Sequence, residues 1–375
     1  MKKICFVLTA EFAVKAFLLN HLRALSVFYE VTVIVNTNNP NFLEEQGIKA
    51  KVIPLAIARD INLISDFSIL IQLIKIIHQQ RFFSVHSVTP KAGLLAMLAA
   101  WMVRIPLRVH TFTGQVWVTK GGFKRFLLKQ IDCLIASLTT HNLIDSPSQR
   151  QFLLKENVMP FNKSVVFAKG SISGVDVARF KPSLQAKVRI RQQLNIKADA
   201  ILFLFLGRLT RDKGVLDLAQ AFSQLKNSCA HLLFVGPDEQ NMQAEIVLIS
   251  GKDNPNLHFI GHTDTPESYM AAADILCLPS YREGFGTVVI EAAAVGIPAI
   301  ASRIYGLTDA VVDGETGWLH EPHDVNAIKV CMGQMISNQA VRLKFGDQAQ
   351  ARAVKEFDSK LITRAWVDFY REYIN

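Results

Sequence analysis

The feature that most constrains this chain is a restart. Short β-branched runs alternate with helical patterns from the first residues onward, and near residue 200 the same alternation begins afresh. The first series is KICFVLT (3–9), EVTVIVN (30–36), AKVIPL (50–55), FFSVHSV (82–88) and LRVHTFT (107–113). The second is ILFLFLG (201–207), HLLFVG (231–236), LHFIG (257–261), ILCLPS (275–280) and AIAS (299–302), the last read as closing the sheet. Strands separated by helices pair in parallel, because each crossover needs a helix to carry the chain back. Two such series imply an α/β protein of two Rossmann-like, doubly wound domains. The chain's 375 residues are also more than one core comfortably serves. The Gly- and Pro-marked stretch GVDVARFKPS (174–183) sets the expected domains at 1–182 and 183–356. The helical stretch at about 357–375 follows a completed second domain and is expected to pack back on the first.

Several classes are excluded early. MKKICFVLTAEFAVKAFLL has the charge and apolar length of a secretion signal, but Glu11 and Lys15 interrupt it and no small-residue cleavage site follows. A buried first strand over Ile4–Thr9 fits better. The other long apolar run, Ala92–Val103, is shorter than the roughly 20 helical residues a bilayer requires, so no transmembrane helix is expected. Cys5, Cys133, Cys229, Cys277 and Cys331 show no CxxC spacing, which argues for a reducing compartment and against a zinc site.

Charge is uneven. Residues 1–182 carry 22 Lys and Arg against 10 Asp and Glu, or +12, while residues 183–375 carry 19 against 22, or −3. A basic half suits an anionic membrane or nucleic acid, or is simply a solvated surface. KGGFKRFLLKQIDCLIA (120–136) interleaves Lys120, Lys124, Arg125 and Lys129 with Phe123, Phe126, Leu127 and Leu128. That is the pattern of a basic amphipathic helix lying on a membrane, or of a core-facing helix with a solvated basic face.

Ligands of doubly wound sheets bind beyond the carboxyl ends of the strands. After the strand at 201–207, GRLTRDKG (207–214) offers Arg208, Arg211 and Lys213 just before a helix. Cations at such a turn suit a diphosphate, since the helix N-terminus adds amide donors. The turn is neither a Walker A loop nor a GxGxxG fingerprint, and alone it reads equally as a solvated basic turn. After the strand at 275–280, REGFGTVVIEA (282–292) places Glu283 before Gly284, Phe285 and Gly286, with Glu291 along the helix that follows. The glycines let backbone approach a ligand. Glu283 can accept from sugar hydroxyls. Glu291, beside alanines and apolar neighbours, needs a partner such as a ribose diol or a salt bridge.

These residues carry a resemblance. EGFGTVVIE, with its two glutamates separated by seven residues, resembles the signature of the retaining GT-B glycosyltransferases of family 4. GRLTRDKG, GVDVARFKP and DGETGWL (313–319) resemble further family stretches in the expected order, covering about 170–320. SVTPKAGLLAMLAA (87–100) and RVHTFTGQVW (108–117) look like the bacterial surface-polysaccharide (capsule and O-antigen) subgroup. The resemblance implies two domains facing across a cleft, with Arg208 and Lys213 gripping the donor diphosphate and Glu291 binding the ribose. It implies that Glu283 and the amides of Gly284, Phe285 and Gly286 hold the donor sugar, and that Ile260 and His262 line the base. His110 matches a histidine beside the donor sugar. Thr89 and Lys91, at a helix start, suit an acceptor phosphate or a plain cap. One departure stands out: many relatives carry a glycine-rich turn after the first strand, where this chain has TAEFAVKAF.

The expected function is a retaining, metal-independent transfer from a nucleotide sugar to a lipid-linked saccharide. The donor is expected to be UDP-linked, with guanine the alternative base; an N-acetylhexosamine is one of several sugars that fit. No DxD sequence is present, so neither metal nor cofactor is expected. The partners are the donor, the lipid-linked acceptor and an anionic membrane surface, not nucleic acid, at the inner face of the cytoplasmic membrane. Competing readings are a nucleotide-sugar epimerase of the same fold and a non-enzymatic basic membrane-binding protein.

Overall fold

A computed structural model describes residues 1–58, 62–225, 227–252 and 254–374. It divides into two compact units, Met1–Ser173 with Ser359–Asn375, and Gly174–Asp358. The junction therefore falls at Ser173–Gly174 and not near 182. The reason is packing: Val175 and Phe180 are buried in the second unit's core, and the Val175 amide donates to the Phe357 carbonyl at 2.8 Å.

Unit 1 is a seven-stranded sheet of β1 (Lys3–Leu8), β2 (Glu30–Val35), β3 (Ala50–Pro54), β4 (Ser84–Ser87), β5 (Leu107–Phe112), β6 (His141–Ile144) and β7 (Ser164–Val165). All pairs are parallel, in the order β3-β2-β1-β4-β5-β6-β7. Its helices are α1 (Glu11–Phe17), α2 (Leu19–Leu25), α3 (Leu63–Gln80), α4 (Pro90–Met102), α5 (Gly122–Leu138) and α6 (Pro147–Lys155). Helices α3, α4 and α5 lie side by side over one core, while α2 belongs to the core on the other face. The stretch weighed against a secretion signal forms β1, a buried central strand, and then α1.

Unit 2 repeats the plan. After α7 (Leu184–Gln193) come β8 (Ile201–Leu206), α8 (Val215–Ser223), β9 (Ala230–Val235), α9 (Met242–Ser250), β10 (Leu257–Ile260) and α10 (Pro266–Ala272). Then follow β11 (Ile275–Leu278), α11 (Thr287–Val295), β12 (Ala299–Ser302), α12 (Leu307–Ala310), β13 (Gly317–His320), α13 (Val325–Ser337) and α14 (Gln339–Phe357). The order is β10-β9-β8-β11-β12-β13, again all parallel. The stretch AIAS does not close this sheet, because β13 pairs outside it, Ala299 opposite Gly317. A Cβ at Gly317 would lie 2.1 Å from the Ala299 carbonyl oxygen, so glycine is what lets the two backbones meet. Lacking a β-branched run, GWLH concealed its strand. All ten strands read from the sequence are present; β6, β7 and β13 are the additions.

The last helix, α15 (Ser359–Ile374), returns to unit 1. Trp366 stacks between two histidine rings, His21 at 4.7 Å and His86 at 4.9 Å, both nearly parallel to it. Its indole N–H and His21 Nε2 both reach the Ile172 carbonyl, at 3.1 and 2.7 Å. His86 is held by the Tyr370 hydroxyl and Thr111 Oγ1, each at 2.8 Å. Burial pushes the His21 imidazole down to about 4 and His86 well below the usual range, so both are neutral.

Candidate active site

In unit 2 the first and fourth strands of the series, β8 and β11, are neighbours. That is the switch point of a doubly wound sheet, where chains leaving adjacent strands part to opposite sides. The two turns singled out from sequence leave those two strands. From β8 the chain passes through a 3-10 turn, Arg211–Lys213, and enters α8 at Gly214 with φ +66. A Cβ on Gly214 would sit 2.0 Å from the Pro279 carbonyl oxygen, so this glycine lets the turns touch. From β11 the loop reaches α11 through Gly286 at φ +84. A Cβ there would meet Leu307 Cδ2 at 2.5 Å.

The contact between the turns is chemical as well as steric. Lys213 Nζ forms an ion pair with Glu283 Oε1, both side chains largely covered. Arg208 instead meets Glu239 at 2.8 Å in the solvent-exposed β9–α9 turn, and Arg211 meets Glu245 at 2.7 Å. Phe285 is buried against Phe357, with ring centroids 5.2 Å apart, so only its backbone faces the turn's work. The amides of this loop lead into the first turn of α11, whose N–H groups fall outside the regular helical ladder; that of Val289 donates to the Gly286 carbonyl at 2.8 Å.

Glu291 is half-buried on α11, and the salt-bridge alternative weighed from sequence is not among the described ion pairs. Burial pushes its carboxyl up to about 7; positive Arg179 opposes the rise and negative Glu267 adds to it. Those two charges pair with each other at 2.8 Å. Ile260 ends β10, whose chain continues to exposed His262, 3.3 Å from Asp264. Both lie at the carboxyl edge of the same sheet, but on its outer strand, with β9 between them and β8.

The remaining residues belong to unit 1. His110, on β5, is buried, with Nδ1 2.8 Å from Ser87 Oγ and its ring edge-on to Phe112 at 4.6 Å. Burial pushes it down to about 3, so it is a neutral imidazole and not a cation. A Cβ on Gly93 would lie 2.5 Å from His110 Cε1, so α4 approaches this ring only because residue 93 is glycine. Thr89 begins α4 without a capping hydrogen bond, and its Oγ1 is buried without a partner. Lys91 pairs with Asp66 on α3 at 2.6 Å. The plain-cap alternative thus has no hydrogen bond behind it.

The 120–136 segment needs a correction. It is helical, as α5, but Arg125 and Lys129 turn inward to Glu156, at 3.6 and 2.7 Å. The Arg125 guanidinium also lies 5.0 Å over Trp117, whose N–H donates to buried Asp132 at 2.8 Å. Outward stand Phe123, Phe126, Leu127 and Leu134, with Lys124, Gln130 and Ser137. The outer face of α5 is therefore mainly apolar.

Sequence reading missed Ser87, Gly93, Asp217 and Tyr281. A lone glycine inside an apolar helix signals a close approach, and that is the signal Gly93 offered. Asp217 and Tyr281 gave no signal, since they meet across 64 residues. Among the described residues no three His, Cys, Asp or Glu side chains gather as metal ligands, and no helix is long and apolar enough to cross a membrane.

Comparison with known proteins follows the division into units. Residues 187–352 match the family described as "Glycosyl transferases group 1", and residues 3–143 match "Glycosyl transferase 4-like". The chain is 30% identical over 345 residues to the capsular polysaccharide biosynthesis glycosyltransferase CapM of Staphylococcus aureus, covering 91% of this chain and 90% of the relative. It is 26% identical over 308 residues to the UDP-Gal:alpha-D-GlcNAc-diphosphoundecaprenol alpha-1,3-galactosyltransferase of Escherichia coli, covering 80% and 78%. Among solved structures, Anabaena HepE in complex with UDP and glucose superposes with a TM-score of 0.83 at 19% identity, over 99% of this chain and all (100%) of that one. WaaG, a glycosyltransferase involved in lipopolysaccharide biosynthesis, gives 0.75 at 16% identity, over 98% of both chains. At these identities the structures speak to the fold.

Proposed function

This chain belongs to the GT-B glycosyltransferases of family 4, and from that premise we propose that it moves a sugar from a UDP-linked donor to a lipid-linked saccharide in surface polysaccharide synthesis, with retention of configuration. The observation that carries the reading is the Lys213–Glu283 pair at the switch point of unit 2. A cation and a carboxylate meet there beside the amides heading α11. The capsular and undecaprenol-linked relatives support the pathway and the acceptor class.

In this reading Lys213 and Arg208 stabilise the diphosphate as it departs, each first exchanging its carboxylate partner for phosphate. Glu283 and the amides of Gly284, Phe285 and Gly286 take the sugar hydroxyls, and Glu291 takes the ribose. The base lies near Ile260 and His262. His110 serves as a neutral hydrogen-bonding group beside the sugar, while Thr89 and Lys91 address the acceptor phosphate. The positive charge the leaving group needs comes from the two cations, with no metal in the scheme.

Thermal unfolding with UDP, GDP and ADP, with and without Mg²⁺, tests this. Ligand at about a hundred times its Kd adds about 2.7 kcal/mol, or roughly 5–10 °C for a unit of this size. A shift with UDP alone, independent of Mg²⁺, is expected; no shift with any nucleotide defeats the donor site. Ribose hydroxyls donating to Glu291 favour its ionised form, so binding releases a proton. UDP affinity should rise with pH up to about 7 and then level off, and Glu291→Gln should flatten that rise.

The membrane surface is proposed to meet apolar side chains as well as charge. On α3, Leu63, Ile64, Phe67 and Ile71 are exposed, and α3 and α5 flank α4 on one face of the unit 1 sheet. Divided by structure, unit 1 holds 23 Lys and Arg against 11 Asp and Glu, still +12. Each apolar side chain buried in lipid contributes up to about 1.5–3 kcal/mol, a term salt does not screen. Co-sedimentation with vesicles containing phosphatidylglycerol is expected to persist at about 0.5 M NaCl. Phe123→Ser with Phe126→Ser should abolish that salt-resistant fraction; complete release of the unaltered protein by salt would return the contact to charge alone.

A further inference from the structure

Three consecutive residues of the β11–α11 loop each take one partner on the segment that carries Lys213. The Tyr281 hydroxyl donates to Asp217 Oδ2 at 2.7 Å, Arg282 Nη2 lies 3.5 Å from Asp212 Oδ2, and Glu283 meets Lys213. The Tyr281 amide also donates to the Asp212 carbonyl at 2.9 Å. These pairs differ in what the reaction asks of them. The Lys213–Glu283 pair must open if the lysine is to reach phosphate and the glutamate a sugar. The Tyr281–Asp217 pair has no such duty and can stay closed throughout.

A second observation bears on the Tyr281–Asp217 pair. The Tyr281 ring lies against His323 with centroids 3.8 Å apart. His323 holds φ +65, in the left-handed region that a non-glycine residue rarely adopts. Its Nδ1 is 4.0 Å from Asp217 Oδ2. A strained backbone persists where the surroundings over-determine it, and such positions cluster at functional sites. Here the left-handed residue sets its ring against Tyr281 and beside Asp217, the two partners of one hydrogen bond.

We infer that Tyr281 and Asp217 are positioning residues, whose hydrogen bond keeps the β11–α11 loop in register with the Lys213 turn while the Lys213–Glu283 pair opens to admit a nucleoside diphosphate. The inference rests on reading Lys213 as a diphosphate ligand. Loss of the bond lets the loop drift, so the diphosphate's share of affinity falls while the nucleoside's share does not.

Calorimetric titration of the full chain with UDP and with uridine tests this. Tyr281→Phe is expected to weaken UDP about tenfold, the scale of one lost hydrogen bond to a charged group, with uridine changed less than about twofold. Asp217→Asn keeps an acceptor oxygen and should bind UDP nearly as the unaltered chain does, whereas Asp217→Ala should repeat the loss. Unchanged UDP affinity in Tyr281→Phe overturns the inference, as does equal weakening of UDP and uridine with a fall in Tm, the mark of a merely structural bond. If the unaltered chain binds GDP instead, the same comparison runs with GDP and guanosine. If it binds no nucleoside diphosphate, the donor reading fails and takes this inference with it. Normal binding in both the unaltered chain and Tyr281→Phe removes this inference alone.

Discussion

Lys213→Ala lowers turnover by about a hundred- to a thousandfold while the chain stays folded. Removing one preorganised charge from a developing anion typically costs about 2.7–4 kcal/mol of transition-state stabilisation. Lys213 is the cation directed at the glutamate loop; Arg208 and Arg211 reach carboxylates in the β9–α9 region. The fold survives because Glu283, though largely covered, keeps some solvent access once its partner is gone. Steady-state kinetics beside a circular dichroism spectrum decide the matter. A fall in kcat with an unaltered spectrum is expected, whereas near-normal turnover removes Lys213 from the reaction. Should KM alone rise, the lysine would serve ground-state binding and not the departing diphosphate.

The second large effect is on stability. Trp366→Ala is expected to destabilise unit 1 by about 3–5 kcal/mol, the usual cost of deleting a buried aromatic ring. That lowers its melting transition by roughly 6–20 °C and leaves the transition of unit 2 in place. The same cluster makes unit 1 acid-sensitive. His21 and His86 are neutral in the fold, while in the unfolded chain each binds a proton near its ordinary value of 6.5. Their depressed values therefore leave stability intact above about pH 6.5 and erode it as pH falls toward about 4. For His21 alone the loss approaches about 3 kcal/mol. Unit 2 holds depressed histidines too, burial pushing His258 down to about 4. Melting curves at successively lower pH should therefore show both transitions falling, that of unit 1 further because it also buries His86 and His110. Equal acid shifts in both units would contradict this account.

What the sequence disclosed and what it withheld divide along physical lines. Runs such as ILFLFL are buried on both sides of a parallel sheet, so their continuous hydrophobicity marks them plainly. The two motif turns were legible because they follow such strands, and topology then puts β8 beside β11. Hidden were the contacts made by residues distant in sequence. Lys213 and Glu283 were each singled out, yet nothing in the chain says they pair across 70 residues. On α5 the interleaved charges suggested a basic outer face. Glu156, 27 residues from Lys129, reverses that by drawing the cations inward. His110 was visible as a residue, but its neutrality comes from burial beneath Gly93, which only the packed helix reveals.

The return of α15 to unit 1 also sets an order of events during synthesis. The core around β1 includes Ile362, Trp366, Phe369 and Tyr370, and Lys2 bonds to the Ile374 carbonyl. All of unit 2 is translated before those partners exist. At roughly 5–20 residues per second, its residues 174–358 occupy the ribosome for roughly 10–40 s. Unit 2 is one continuous segment and can complete its core as it emerges. Unit 1, begun first, waits with one face of its central strand only partly covered, by α1 and α2, until α15 arrives, so the half of the molecule made first is the half finished last.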